Sequence, residues 1–165
     1  MERSLTCCFS GHRPAKLPWG NNEDDPRCFD LKQELAARLQ GIYEAGYRHF
    51  ICGMAAGCDL YFAEAVLALR RDHPEVTLEA AVPCLGQADG WPEEQRARYE
   101  ALLADCDEVS LLQRQYSPGC MQRRNQYMVE HASLLLACFD GEPGGTMRTI
   151  LYARRRGCRV ITIEL

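Results

Sequence analysis

The chain has 165 residues, is 47% hydrophobic and 25% charged, and carries a formal net charge of −4. That length suits one domain with a substantial core, and the composition is that of a globular protein, which excludes extended disorder and fibrous folds. No apolar run approaches the roughly 20 residues that a membrane helix needs, and the N-terminal residues lack a signal-peptide core. A cytoplasmic location with no membrane partner is therefore expected. The ten cysteines fall short of the roughly 8–10% of a disulfide scaffold, and none forms a Cys-x-x-Cys pair. They read as reduced, mostly buried thiols, with no metal site expected.

In chain order, Leu5 to Phe9 predicts a buried strand, followed by a polar loop from Ser10 to about Arg27. Asp30, with Gln33 three residues on, is expected to cap a helix whose apolar face is Leu31, Leu35, Leu39 and Ile42. Gly46 supplies its left-handed end. A strand over Arg48 to Cys52 precedes a helix from about Asp59 to Arg71, and a third strand spans Val76 to Val82. Then come a helix from Pro92 to Asp105, a strand from Glu108 to Leu112 and a helix from Pro118 to His131. A strand from Leu134 to Phe139, a helix from Thr146 to Arg156 and a strand from Arg159 to Ile163 complete the pattern. Alternating helices and strands that are apolar on both faces predict an α/β fold. The expected architecture is a Rossmann-like three-layer sandwich with a mostly parallel sheet of about six strands, in one domain over residues 1–165.

In such sheets ligands bind beyond the carboxyl ends of the strands. Three loops at those ends are glycine-marked: Ser10-Gly11-His12-Arg13-Pro14, Gly53-Met54-Ala55-Ala56-Gly57-Cys58-Asp59 and Asp140-Gly141-Glu142-Pro143-Gly144-Gly145-Thr146. Each opens a helix whose N-terminus favours an anion. Each glycine also has a plain reading as a turn residue, and Asp59 and Thr146 as helix caps. His12 and Arg13 are candidates to donate to a phosphate or carboxylate. Arg123 and Arg124 cannot face one site, because successive helical residues diverge by about 100°. Arg154 to Arg156 read as last-turn cations at a helix C-terminus.

Charge supports a local anion site. Residues 1–112 hold 11 basic and 19 acidic side chains, whereas residues 113–165 hold 8 basic and 4 acidic ones. A net-acidic chain makes nucleic acid a disfavoured partner.

Cys8-Phe9-Ser10-Gly11-His12-Arg13-Pro14, with Lys16-Leu17-Pro18-Trp19-Gly20, resembles the opening of the YpsA-like family of the SLOG superfamily. The resemblance continues through Ile51 to Asp59, Pro83, Gln87 and Trp91. It then takes in Tyr116, Cys120-Met121, Arg124-Asn125, Phe139 to Gly141 and Gly144 to Thr146. It implies a Rossmann-like fold and a site for a nucleotide or nucleotide-derived ligand such as NAD, ADP-ribose or a nucleoside phosphate. The implied ligand-binding residues are Gly11, His12, Arg13, Gly53, Met54, Ala55, Gly57, Asp59, Arg124, Asn125, Asp140, Gly141, Gly144, Gly145 and Thr146. Among broader relatives are the LOG phosphoribohydrolases and the DNA-processing protein DprA. Relative to the LOG pattern, Asn125 replaces a Lys and Thr149 falls where a catalytic Glu stands, while Arg124 is retained. The resulting expectation is a sensory or regulatory ligand-binding protein with no assigned catalytic residue. A nucleoside monophosphate N-glycosidic hydrolase and a DprA-like single-strand DNA binder are the alternatives, and a homodimer is left open.

Overall fold

The computed structural model describes residues 2–165. Six parallel strands form one sheet: β1 (Thr6–Ser10), β2 (His49–Cys52), β3 (Thr77–Val82), β4 (Glu108–Leu111), β5 (Leu134–Phe139) and β6 (Arg159–Glu164). Their order is β4-β3-β2-β1-β5-β6, so the chain reverses its direction of travel between β1 and β5. Five helices connect them: α1 (Pro26–Glu44), α2 (Cys58–Asp72), α3 (Glu93–Asp105), α4 (Cys120–Glu130) and α5 (Gly145–Arg155). This is the expected Rossmann-like α/β fold.

Side chains alternate along each strand, so the sheet feeds two cores. Phe9, Phe50, Leu78 and Leu136 pack with Leu35 and Leu39 of α1 and Phe62 of α2. Cys8, Ile51, Ala81 and Leu135 pack with Met128 of α4 and Ile150 of α5. Nine of the ten cysteines are buried among these residues, where burial pushes up thiols such as Cys7 and Cys52.

Two local expectations are corrected. The first helix begins at Pro26, not after Asp30, because Pro26 is preset for a first helical position and Asp25 accepts a hydrogen bond from Arg27 N at 2.8 Å. Asp30 lies inside the helix and is exposed. Nor are all strands apolar on both faces. The inner four are buried almost throughout, but β4 and β6 are largely exposed because each stands at an edge of the sheet. No helix among the described residues is long and apolar enough to cross a membrane.

Candidate functional site

The reversal between β1 and β5 leaves a crevice beyond their carboxyl ends, where the connections diverge to opposite faces of the sheet. A cleft of about 480 Å³ occupies this place. Its walls come from the loop after β1, the start of α2, one face of α4 and the start of α5. Among the predicted residues it includes Gly11, His12, Arg13, Ala55, Asp59, Arg124, Asn125, Gly145 and Thr146. Gly53, Met54, Gly57, Asp140, Gly141 and Gly144 are not part of the wall.

Physical reasons separate the two groups. At Gly53 a Cβ would stand 2.6 Å from the Arg124 guanidinium, and the Gly53 carbonyl accepts a hydrogen bond from Arg124 Nη1. At Gly57, φ is +90° and a Cβ would lie 2.7 Å from the His12 carbonyl, which accepts from Cys58 N at 3.1 Å. Contacts within the protein thus account for both glycines without a ligand. Met54, a left-handed residue at φ +60°, is fully buried in the core. Gly144 lies against the Lys16 ammonium, and Gly141 is an exposed turn residue. Gly145 differs from these: its missing side chain faces open space.

The helix starts differ from the capping expectation. Gly57 and Gly144 occupy the cap positions, Asp59 and Thr146 lie within the first turns, and neither side chain caps. The backbone N–H groups of Gly145, Thr146 and Met147 have no acceptor among the described residues. These are the orphan donors of a helix N-terminus, and they open at the cleft.

His12 is buried and its Nε2 accepts a hydrogen bond from Asp140 N at 3.1 Å. Burial lowers its pKa, against the opposing pull of the Asp140 carboxylate. The same Nε2 also stands 3.1 Å from Asp140 Oδ1, so both the backbone and the carboxylate of Asp140 meet this ring nitrogen. His12 therefore ties the β1 loop to the β5 loop. Asp140 accepts from Glu142 N at 2.9 Å, which, with His12 and Lys16 nearby, holds its carboxyl below the usual range.

Arg124 is buried on α4 and spans the floor. Nη1 donates to the Gly53 carbonyl and to the Ala81 carbonyl at 3.3 Å, and Nε donates to Asn125 Oδ1 at 2.9 Å. Among the described residues Nη2 meets only the Met121 sulfur, at 4.0 Å. Arg123, one residue away, points out to Gln113 and Ser117. Asp59 is 7% exposed, and its Oδ2 accepts from Ala55 N at 3.0 Å. Burial raises its pKa, while Arg124, the Ala55 N–H and Arg13 pull it down.

Exposed cations complete the wall: Arg13, Lys16 and Arg148. None forms an ion pair among the described residues. Arg148 lies in the first turn of α5, and the expected site residues included neither it nor Lys16. The sequence signals were its position three residues beyond Gly145 and the four-residue reach from His12 to Lys16. Arg154 to Arg156 stand at the far end of α5. A larger cavity of about 660 Å³ between α1 and β6 has no such set of cations without a carboxylate partner, since its Arg27 and Arg38 are paired with Asp25 and Glu34.

Thr149 is 1% exposed and donates to the Gly145 carbonyl at 2.9 Å, so it presents no group to the cleft.

Comparison with known proteins agrees with this architecture. The chain is similar to DNA processing protein A of Helicobacter pylori, a protein described for its single-stranded DNA binding mode. There the TM-score is 0.67 at 14% identity, over 99% of this chain and 66% of that one. It is similar also to DprA of Streptococcus pneumoniae, with TM-score 0.65 at 15% identity, over 98% of this chain and 51% of that one. The chain thus spans under two thirds of these longer proteins, and at such identities the likeness is one of fold. In sequence it is 32% identical over 149 residues to UPF0398 proteins of Bacillus thuringiensis and Bacillus cereus, covering 89% of this chain and 80% of each relative. Residues 7–156 match the family model YpsA, described as the YspA SLOG family, and the chain belongs to that family.

Proposed function

We propose that the cleft binds a nucleotide or nucleotide-derived anion and that the protein acts by binding, in a sensory or regulatory role. The observation that carries this reading is the convergence of three unpartnered N–H groups at the start of α5 with Arg13, Lys16 and Arg148, none of them ion-paired. Orphan helix N–H groups and free guanidinium groups are the standard complement of a phosphate. The volume lies within the range of roughly 300–1,000 Å³ of small-molecule sites.

Hydrolysis of an N-glycosidic bond is the weaker reading. Such chemistry needs a carboxylate beside the developing oxocarbenium centre, and position 149 offers a buried threonine hydroxyl instead, so Asp59 or Asp140 would have to supply it. Single-strand DNA binding has one observation in its favour: the cationic wall lies on the edge of a fold shared with a DNA-binding protein.

Thermal denaturation with nucleoside mono-, di- and triphosphates, NAD, ADP-ribose and single-stranded oligodeoxynucleotides tests these readings. The proposal expects at least one free nucleotide to raise Tm. A ligand at a hundredfold excess over Kd adds about 2.7 kcal/mol. A shift with oligodeoxynucleotides alone transfers the site to the DNA reading, and no shift with any compound at millimolar concentration refutes both.

A further inference from the structure

A carboxylate at the floor of an anion site is an anomaly. Asp59 is more than nine-tenths buried and lines the cleft that also holds Arg13, Lys16, Arg124 and Arg148. Its Oδ2 is taken by the Ala55 N–H, whereas Oδ1 has no donor among the described residues. No fully enclosed side-chain N or O atom among those residues lacks a partner. Asp59 Oδ1 is therefore reached from outside, and the cleft is the space it borders. Asp59 and Arg124 also stop short of an ion pair, although each feels the other's charge.

Burying a half-satisfied carboxylate costs stability unless something completes it. A bare phosphate cannot, because it brings more negative charge and no donor. What completes Asp59 is a ligand with an anionic end for the α5 N-terminus and a hydrogen-bond donor for Asp59 Oδ1 across the same cleft. An ammonium donor would enter a cleft with four cations and one carboxylate. A neutral donor avoids that repulsion, and hydroxyl groups are neutral donors.

We infer that Asp59 is a specificity-determining residue that accepts hydrogen bonds from the free sugar hydroxyls of a ribonucleotide whose phosphate sits at the start of α5. The inference rests on the nucleotide-binding reading and narrows it. A ribonucleoside phosphate offers both groups, whereas an internal nucleotide of DNA offers no free sugar hydroxyl. The same residue thus favours free ribonucleotides over a DNA strand.

Titration calorimetry of the wild-type protein with inorganic phosphate, the four ribonucleoside 5′-monophosphates and their 2′,3′-dideoxy counterparts tests this without any variant. At least one ribonucleotide should bind tenfold or more tightly than its dideoxy counterpart. In Asp59→Asn, which keeps an oxygen for the Ala55 N–H, that ratio should fall below about threefold, while phosphate affinity holds or rises. Equal binding of the ribo and dideoxy members in the wild type overturns the role of Asp59 and leaves the nucleotide site standing. So does an Asp59→Asn variant that weakens phosphate and nucleotides alike. If neither phosphate nor any nucleotide binds, the nucleotide reading itself falls, and this inference with it.

Discussion

Two clusters of buried polar side chains lie on this sheet, and they are finished differently. In the amino half, under α4, His49 Nε2 meets Glu79 Oε1 at 2.7 Å and His49 Nδ1 meets Thr77 Oγ1 at 2.7 Å. Ser110 and Tyr127 donate to the remaining Glu79 oxygen at 2.8 and 2.6 Å. Every polar atom of that pair is satisfied from within. At the carboxyl end, and among the described residues, Asp59 keeps a free oxygen, Arg124 Nη2 has only a thioether, and three N–H groups of α5 have no acceptor. A closed network specifies structure, and an open one is completed by a ligand. Burial alone would rank the two alike; the pattern of partners tells them apart.

Breaking the closed network should have the largest effect. Glu79→Ala leaves His49, Ser110 and Tyr127 without their acceptor. Removing one partner of a buried pair costs about 3–5 kcal/mol, and urea denaturation reads it directly. Ligand-induced stabilisation should survive in whatever fraction stays folded.

Gly53→Val comes next. Its side chain collides with Arg124, so a loss of about 1–3 kcal/mol is expected from overpacking. This variant should lower both stability and ligand affinity, because Arg124 forms the cleft floor.

Gly145→Ala separates the two properties. Its Cβ meets open space, so free-protein stability should change by no more than about 0.5 kcal/mol. The nucleotide-induced rise in Tm should nevertheless shrink or vanish. An unchanged rise would place the ligand away from the start of α5.

The smallest effect is on pH dependence. The folded-state pKa of His12 lies below its ordinary value of 6.5. Below pH 6.5 the unfolded chain takes up a proton that folded His12 refuses, so stability falls as pH drops from there to the folded-state pKa. Denaturation between pH 7.5 and 5 should show this slope in the wild type and a flatter one in His12→Gln.

Most of the fold was legible in the sequence, because periodicity and strand-end glycines act locally. Leu134 to Phe139 emerges with the boundaries its apolar run implies, and the β1–β5 reversal puts the first and third glycine loops on one crevice. The start of α1 was misplaced because Asp25-Pro26 and Asp30 both resemble helix starts, and local backbone geometry decided between them. In the site, glycine was an ambiguous sign. Gly53 and Gly57 admit close approach by Arg124 and by the His12 backbone, contacts between segments far apart in sequence. Arg148 escapes a sequence reading because its position three residues beyond Gly145 matters only once the start of α5 is seen to open at the cleft. The incomplete satisfaction of Asp59 is likewise a property of three dimensions.

The most direct test of the account is an amide NMR titration of the uniformly labelled protein with the nucleotide that gives the largest thermal shift. The largest shift changes are expected at the N–H groups of Gly145, Thr146 and Met147, with Gly11 and Ala55 next and His49 and Glu79 unmoved. Saturable changes centred on the α1–β6 cavity, with the start of α5 unaffected, would contradict it.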